Sequence, residues 1–177
     1  MKQSLQRYLY GVSSLLLVGL SFNSTANVYN ETVYKEKHQE GSIHLIENKG
    51  QWNDSARFKA ELPGGAVFLT NYGFRYTFDD MEAIQKAHDE WESRNTFDDL
   101  ITTHVFDVTL VNSNLLGEFK KYGKKETYHN YFIGNDPTKW ASKVGLYNTV
   151  VNENVYNDID LVVYSNGNTL KYDFVVM

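Results

Sequence analysis

A chain of 177 residues with no cysteine must hold its fold by burial alone, which excludes disulfide staples, thiol catalysis and cysteine-ligated metal sites. Its formal charge is −5, and no basic run exceeds the pairs Lys120-Lys121 and Lys124-Lys125, so it offers no footprint for nucleic acid.

The first 26 residues read as a secretory signal peptide. Lys2 and Arg7 supply a positive start, Tyr8 to Phe22 an apolar stretch, and Ser24-Thr25-Ala26 the small residues of a cleavage site. The apolar stretch is short for a hydrocarbon core of ~30 Å, so no stable membrane insertion is expected after leader cleavage. Loss of Lys2 and Arg7 with the leader takes the formal charge from −5 to −7. No lipid-bearing cysteine follows. The expected destination is extracellular or the cell surface, with the periplasm as the alternative. Residues 27–41 are polar and unpatterned, a flexible arm.

From residue 42 to 177 the pattern is that of one domain, an all-β antiparallel sandwich with one inserted surface helix at about 80–94. Phe74, Tyr76 and Phe78 alternate with polar residues after a run from Ala66 to Thr70. A three-residue loop, Asn71-Tyr72-Gly73, would pair Thr70 with Phe74 and Phe68 with Tyr76. Met81, Ile84, His88 and Trp91 fall on one helical stripe, with Asp79 or Asp80 as cap. His104, Phe106, Val108 and Leu110 then share a strand face. At the chain's end, a turn centred on Asn166-Gly167 would set Leu161 opposite Tyr172 and Asp160 against Asp173.

That last pairing places like charges together. A divalent cation on Asp160 and Asp173, with Asp158 as a further oxygen donor, would relieve the repulsion; solvated carboxylates offset by Lys171 are the simpler account. No nucleophile elbow, phosphate loop or zinc motif occurs, and the five histidines include no i, i+4 helical pair. Neither catalytic residues nor a cofactor are therefore expected. The segment "YHNYFIGNDPTKW" (residues 128–140) crowds aromatic rings around a Gly-Asn-Asp-Pro turn. Tyr128, Tyr131 and Trp140 could form a platform for a glycan or protein partner. The turn chemistry alone also accounts for the segment, with Trp140 folded back onto the core. Asp54-Ser55-Ala56 has the form of a bacterial O-glycosylation acceptor.

Several stretches in order resemble the uncharacterised, β-rich N-terminal domain of secreted Bacteroidetes surface proteins. They are Ile46-Glu47-Asn48-Lys49-Gly50-Gln51-Trp52, then residues 58–69 and 131–140, then Ile159-Asp160-Leu161-Val162-Val163-Tyr164 and residues 170–176. Those proteins carry SBBP β-propeller repeats or gliding-motility-associated type IX sorting domains. The resemblance implies a noncatalytic structural or adhesion module at the start of a larger exported protein, with the sandwich incomplete at its C-terminus. Two departures stand out: Asn157-Asp158 replaces the family's Pro-Gly, and no sorting domain is present. The alternative function is a secreted carbohydrate-active enzyme or glycan-binding domain.

Overall fold

A computed structural model describes residues 43–94, 101–114 and 117–177, except for the side chains of Trp91, Ser93 and Arg94. The leader and the arm expected at 27–41 lie outside the described residues. Eleven strands follow in order: β1 (Leu45–Glu47), β2 (Ala56–Leu62), β3 (Gly65–Thr70), β4 (Gly73–Asp79), β5 (Thr103–Thr109), β6 (Phe119–Tyr122), β7 (Tyr128–Tyr131), β8 (Ala141–Tyr147), β9 (Thr149–Tyr156), β10 (Ile159–Asn166) and β11 (Thr169–Val176). One helix, α1 (Met81–Arg94), connects β4 to β5.

The strands form a seven-stranded sheet in the order β5-β4-β3-β2-β1-β8-β7 and a four-stranded sheet in the order β11-β10-β9-β6. All pairings among them are antiparallel. Among the described residues, the expected sandwich with one α-helix is therefore the observed architecture. The principal core lies between the sheets: Leu45, Phe58, Ala60, Val67, Leu69, Phe74 and Tyr147 of the larger face Val150, Val155, Leu161 and Val163 of the smaller. A second cluster, Ile46, Ala141, Val144 and Leu146, lies apart from this core and is covered by Trp52 and Tyr131.

The register of the β3–β4 hairpin differs from expectation by one residue. The loop is Asn71-Tyr72, so Thr70 pairs with Gly73, Phe68 with Arg75 and Val67 with Tyr76. The Thr70 hydroxyl accepts the Tyr72 N–H at 3.1 Å and donates to the Gly73 carbonyl at 3.1 Å, clamping the shorter loop. The core face is consequently Val67, Leu69, Phe74 and Tyr76. Phe68 belongs to the outer face, where it meets Trp52 edge-on at 5.9 Å.

The last hairpin is displaced by two residues: Asn166 pairs with Thr169, Val163 with Tyr172 and Leu161 with Phe174. Gly167 (φ +60°) takes the first of two loop positions, as in a type II′ turn, rather than the second. A two-residue displacement preserves the faces, so the apolar side remains apolar. It does dissolve the expected carboxylate pair, because Asp160 now lies opposite Val175 and Asp173 opposite Val162.

Helix α1 begins as expected, with the Ala83 N–H donating to Asp80 Oδ1 at 3.0 Å. Its half-covered face is Ala83, Ile84, Ala87 and Glu90, whereas Met81 and His88 of the expected stripe are exposed. His88 instead lies 3.5 Å from Glu92, one turn along the same helix. Trp91, the last residue of that stripe, is outside the described side chains.

Candidate functional site

The aromatic corner is built by a turn that holds itself together. Asp136 Oδ1 accepts the Thr138 N–H at 3.0 Å and the Thr138 hydroxyl at 2.7 Å, capping a 3-10 turn over Pro137–Lys139. Those Thr138 bonds hold the Asp136 carboxyl below its ordinary range. Gly134 (φ +73°) reverses the chain, and its carbonyl accepts the Trp140 indole N–H at 3.2 Å. The corner needs no core contact to keep its shape.

Trp140 accordingly does not fold onto the core. It is 44% exposed, meeting Phe132 edge-on at 5.8 Å. Beside it Phe132 is 60% and Ile133 76% exposed, open apolar surface on one corner, whereas Tyr128, 52% exposed, lies at the other end of β7 opposite Gly145. Tyr131, the third expected platform residue, is instead half-buried. Its ring packs edge-on to Trp52 at 5.4 Å and covers the second cluster. The structure therefore divides the expected platform: Tyr128 and Trp140 are available, Tyr131 is structural, and Phe132 and Ile133 join. The sequence signal for these two was the unbroken apolar run Tyr131-Phe132-Ile133, which a two-faced strand cannot bury entirely.

Because the corner is self-braced, Trp140→Ala should cost less than about 1 kcal/mol of folding stability, as surface truncations do. A urea titration yielding a loss of ~3 kcal/mol or more would show the ring to be a core element.

A cleft of about 480 Å³ lies between the loop after β1 and the start of β6, lined by Glu47, Asn48, Asp54, Arg57, Glu118 and Lys121 among others. Asn48 organises this loop. Its Nδ2 donates to the carbonyls of Ala56 at 2.8 Å and Asn53 at 3.0 Å, while its Oδ1 accepts the Gly50 N–H at 3.0 Å. The loop thereby turns back and lays Trp52 over the larger sheet. Glu47 Oε1 accepts the buried Gly145 N–H at 2.8 Å, and Oε2 accepts Lys121 Nζ at 3.0 Å. Burial alone would raise this carboxyl, but the Gly145 and Lys121 hydrogen bonds, with the charges of Lys121 and Lys49, hold it below its ordinary range. A group so held is an ion-pair partner, the opposite of a general acid.

Among the described residues no three His, Asp or Glu side chains come together as metal ligands. Asp160 is buried and its Oδ1 accepts the Asn154 N–H at 2.8 Å, filling the irregularity between β9 and β10. Asp158 occupies a turn with φ +58°, the left-handed conformation that glycine accepts most readily. Asp173 Oδ2 accepts the Tyr164 hydroxyl at 3.0 Å on the outer face. The three acids are thus a ladder patch, a turn and a surface bond rather than one site. Also among the described residues, no helix is long and apolar enough to cross a membrane.

Residues 45–177 match the family described as DUF7948, a domain of unknown function. No curated protein and no solved structure matches the chain.

Proposed function

The chain belongs to the DUF7948 family of domains of unknown function, and we propose that it acts as a noncatalytic adhesion module, presenting its aromatic corner to a glycan or protein partner. The observation that carries this reading is the exposure of Trp140, Phe132 and Ile133 on a turn held by its own hydrogen bonds, with Tyr128 exposed at the other end of β7. Rings fixed in advance lose little freedom on binding, and their faces suit the apolar faces of sugars. The setting proposed is the N-terminal part of a larger exported surface protein of the Bacteroidetes kind, with SBBP repeats or a type IX sorting domain. The leader at residues 1–26 and the ordered motif resemblance support it. Arrival is at the cell surface or outside the cell.

The enzymatic alternative, a carbohydrate-active hydrolase, would need two free carboxyls across a cleft. Of the acids lining the cleft, Glu47, Asp54 and Glu118, Glu47 has its carboxylate committed to Gly145 and Lys121. We therefore favour binding. The test is a glycan array probed with the chain and with Trp140→Ala. Retention of a glycan class by the parent and its loss in the variant supports the corner; equal binding, or none, removes it.

A further inference from the structure

The two sheets do not end together. Phe74 of β4 lies against Tyr172 of β11 at 5.1 Å, so the last strand of the smaller sheet is seated over β4. The larger sheet continues one strand further, to β5. Register puts Val108, Phe106 and His104 on the same face as Phe74, Tyr76 and Phe78, the face that elsewhere forms the core. Phe106 stacks on Tyr76 at 4.9 Å and on Phe78 at 5.9 Å. Nothing described covers this row: Phe78, Phe106 and Val108 are each at least 40% exposed.

The opposing wall is also open. Tyr172, Phe174 and Val176 share the face of buried Val163 and Leu161 yet are exposed. The step is closed at one end by the chain after β5, where the Leu110 N–H donates to the Tyr72 carbonyl at 2.8 Å and the Asn114 N–H to the Val155 carbonyl at 2.8 Å. It is therefore a trough continuous with the principal core, bordered by the outer edge of the eight-residue strand β11.

The size of the trough decides what fits. Neighbouring strands lie ~4.8 Å apart, so one strand laid along β11 would fall over β5 and cover Phe106 and Val108. A helix, ~10 Å across, is too wide for a step one strand broad. Pairing of β11 with the β11 of a second copy is excluded by shape. Antiparallel pairing of β11 with its own copy would put both larger sheets on the same side, and each overhanging β5 would occupy the place of the other's β4. Within the step the only titratable side chain on β5 is His104 and on β11 is Tyr172, so inward-facing charges on an occupant would go unpaired.

We propose that this trough is a strand acceptor, taking one extended segment of a partner polypeptide whose alternate residues are aliphatic or aromatic. The segment pairs its backbone with β11 and turns its apolar side chains onto β5, completing the smaller sheet by strand addition. Unfilled, the β11 edge is a site for nonspecific pairing. The surface is separate from the aromatic corner, and the two readings fail independently.

The probe is the acetylated peptide Thr-Val-Thr-Phe-Thr-Val-Thr-Val-Lys, titrated calorimetrically into the 177-residue chain. Two derivatives carry N-methyl groups on the threonines or on the apolar residues. Backbone N–H groups of alternate residues point to opposite edges of a strand, so only one derivative blocks pairing with β11. That derivative should lose about tenfold or more in affinity while the other stays near the parent. Phe174→Lys should weaken the parent peptide similarly, and the outward Lys171→Thr should not. No binding of the parent at millimolar concentration, or equal loss for both methylated peptides, overturns the proposal. A chain dimer dissociated by Phe174→Lys would overturn it too, by assigning the trough to a second copy.

Discussion

Gly73→Ala is expected to destabilise the domain by ~3–5 kcal/mol. Two causes act together. The backbone at Gly73 has φ +138°, which an L side chain rarely adopts. A Cβ built there would also stand 2.1 Å from the carbonyl oxygen of Val108. That oxygen belongs to β5, so relief requires β5 to move away from β4. The adjacent bond from the Leu110 N–H to the Tyr72 carbonyl, 2.8 Å, would be strained with it. Gly134→Ala is the control: φ is +73° but nothing lies within 4 Å of the added carbon, so only the conformational cost of about 1 kcal/mol remains. Urea midpoints at unchanged m-value give both numbers. Equal losses for the two variants would mean that β5 yields without resistance.

This glycine also shows where sequence reading reached its limit. The alternation around residues 66–78 identifies two strands and a tight connection, and the structure has both. The register is not legible because Gly73 reads as a loop residue, whereas it begins β4 and pairs with Thr70. Alternation fixes which residues share a face within one strand; the loop's length fixes which face meets the core. In the last hairpin the Asn-Gly pair identified the turn, but Gly167 takes the first loop position. The error was two residues, the faces survived, and only the cross-strand acid pair disappeared. Period-two patterns are blind to a displacement of two.

The candidate site was legible in composition and illegible in exposure. Residues 128–140 announce a crowded turn, and the capping by Asp136 occurs as its chemistry requires. Whether Trp140 turns inward depends on a competition the sequence does not display. Its indole N–H finds the Gly134 carbonyl within the corner, and the space over the second cluster is already taken by Trp52 and Tyr131. Trp52 arrives there through the hydrogen bonds of Asn48, a local side-chain pattern that strand periodicity does not reveal.

Glu47→Ala is expected to cost ~2–3 kcal/mol near neutral pH, and Glu47→Gln about 1 kcal/mol, the difference lying in what each leaves unsatisfied. Glu47 joins the sheets at their rim. Its own strand, β1, belongs to the larger sheet, and Lys121 comes from β6 of the smaller one. The regular β1–β8 pairing reaches Ile46 opposite Leu146, and at the next position the Glu47 carboxylate itself takes the Gly145 N–H. Alanine strands that buried N–H; glutamine keeps an acceptor for it and loses only the ionic part. The ionic part is modest because the Lys121 side chain is 39% exposed and solvent screens it. The pH dependence separates the two. Glu47's folded pKa lies below its ordinary 4.5, so its ionisation adds stability that is complete above that value. As pH falls through the folded pKa, the contribution is lost. The stability gap between wild type and Glu47→Gln should therefore be constant from neutrality to about pH 5 and narrow below the ordinary carboxylate pKa. Denaturation curves at a series of pH values measure that gap. A gap that persists unchanged to the lowest pH at which the fold survives would show that Glu47 contributes by its shape and not by its charge.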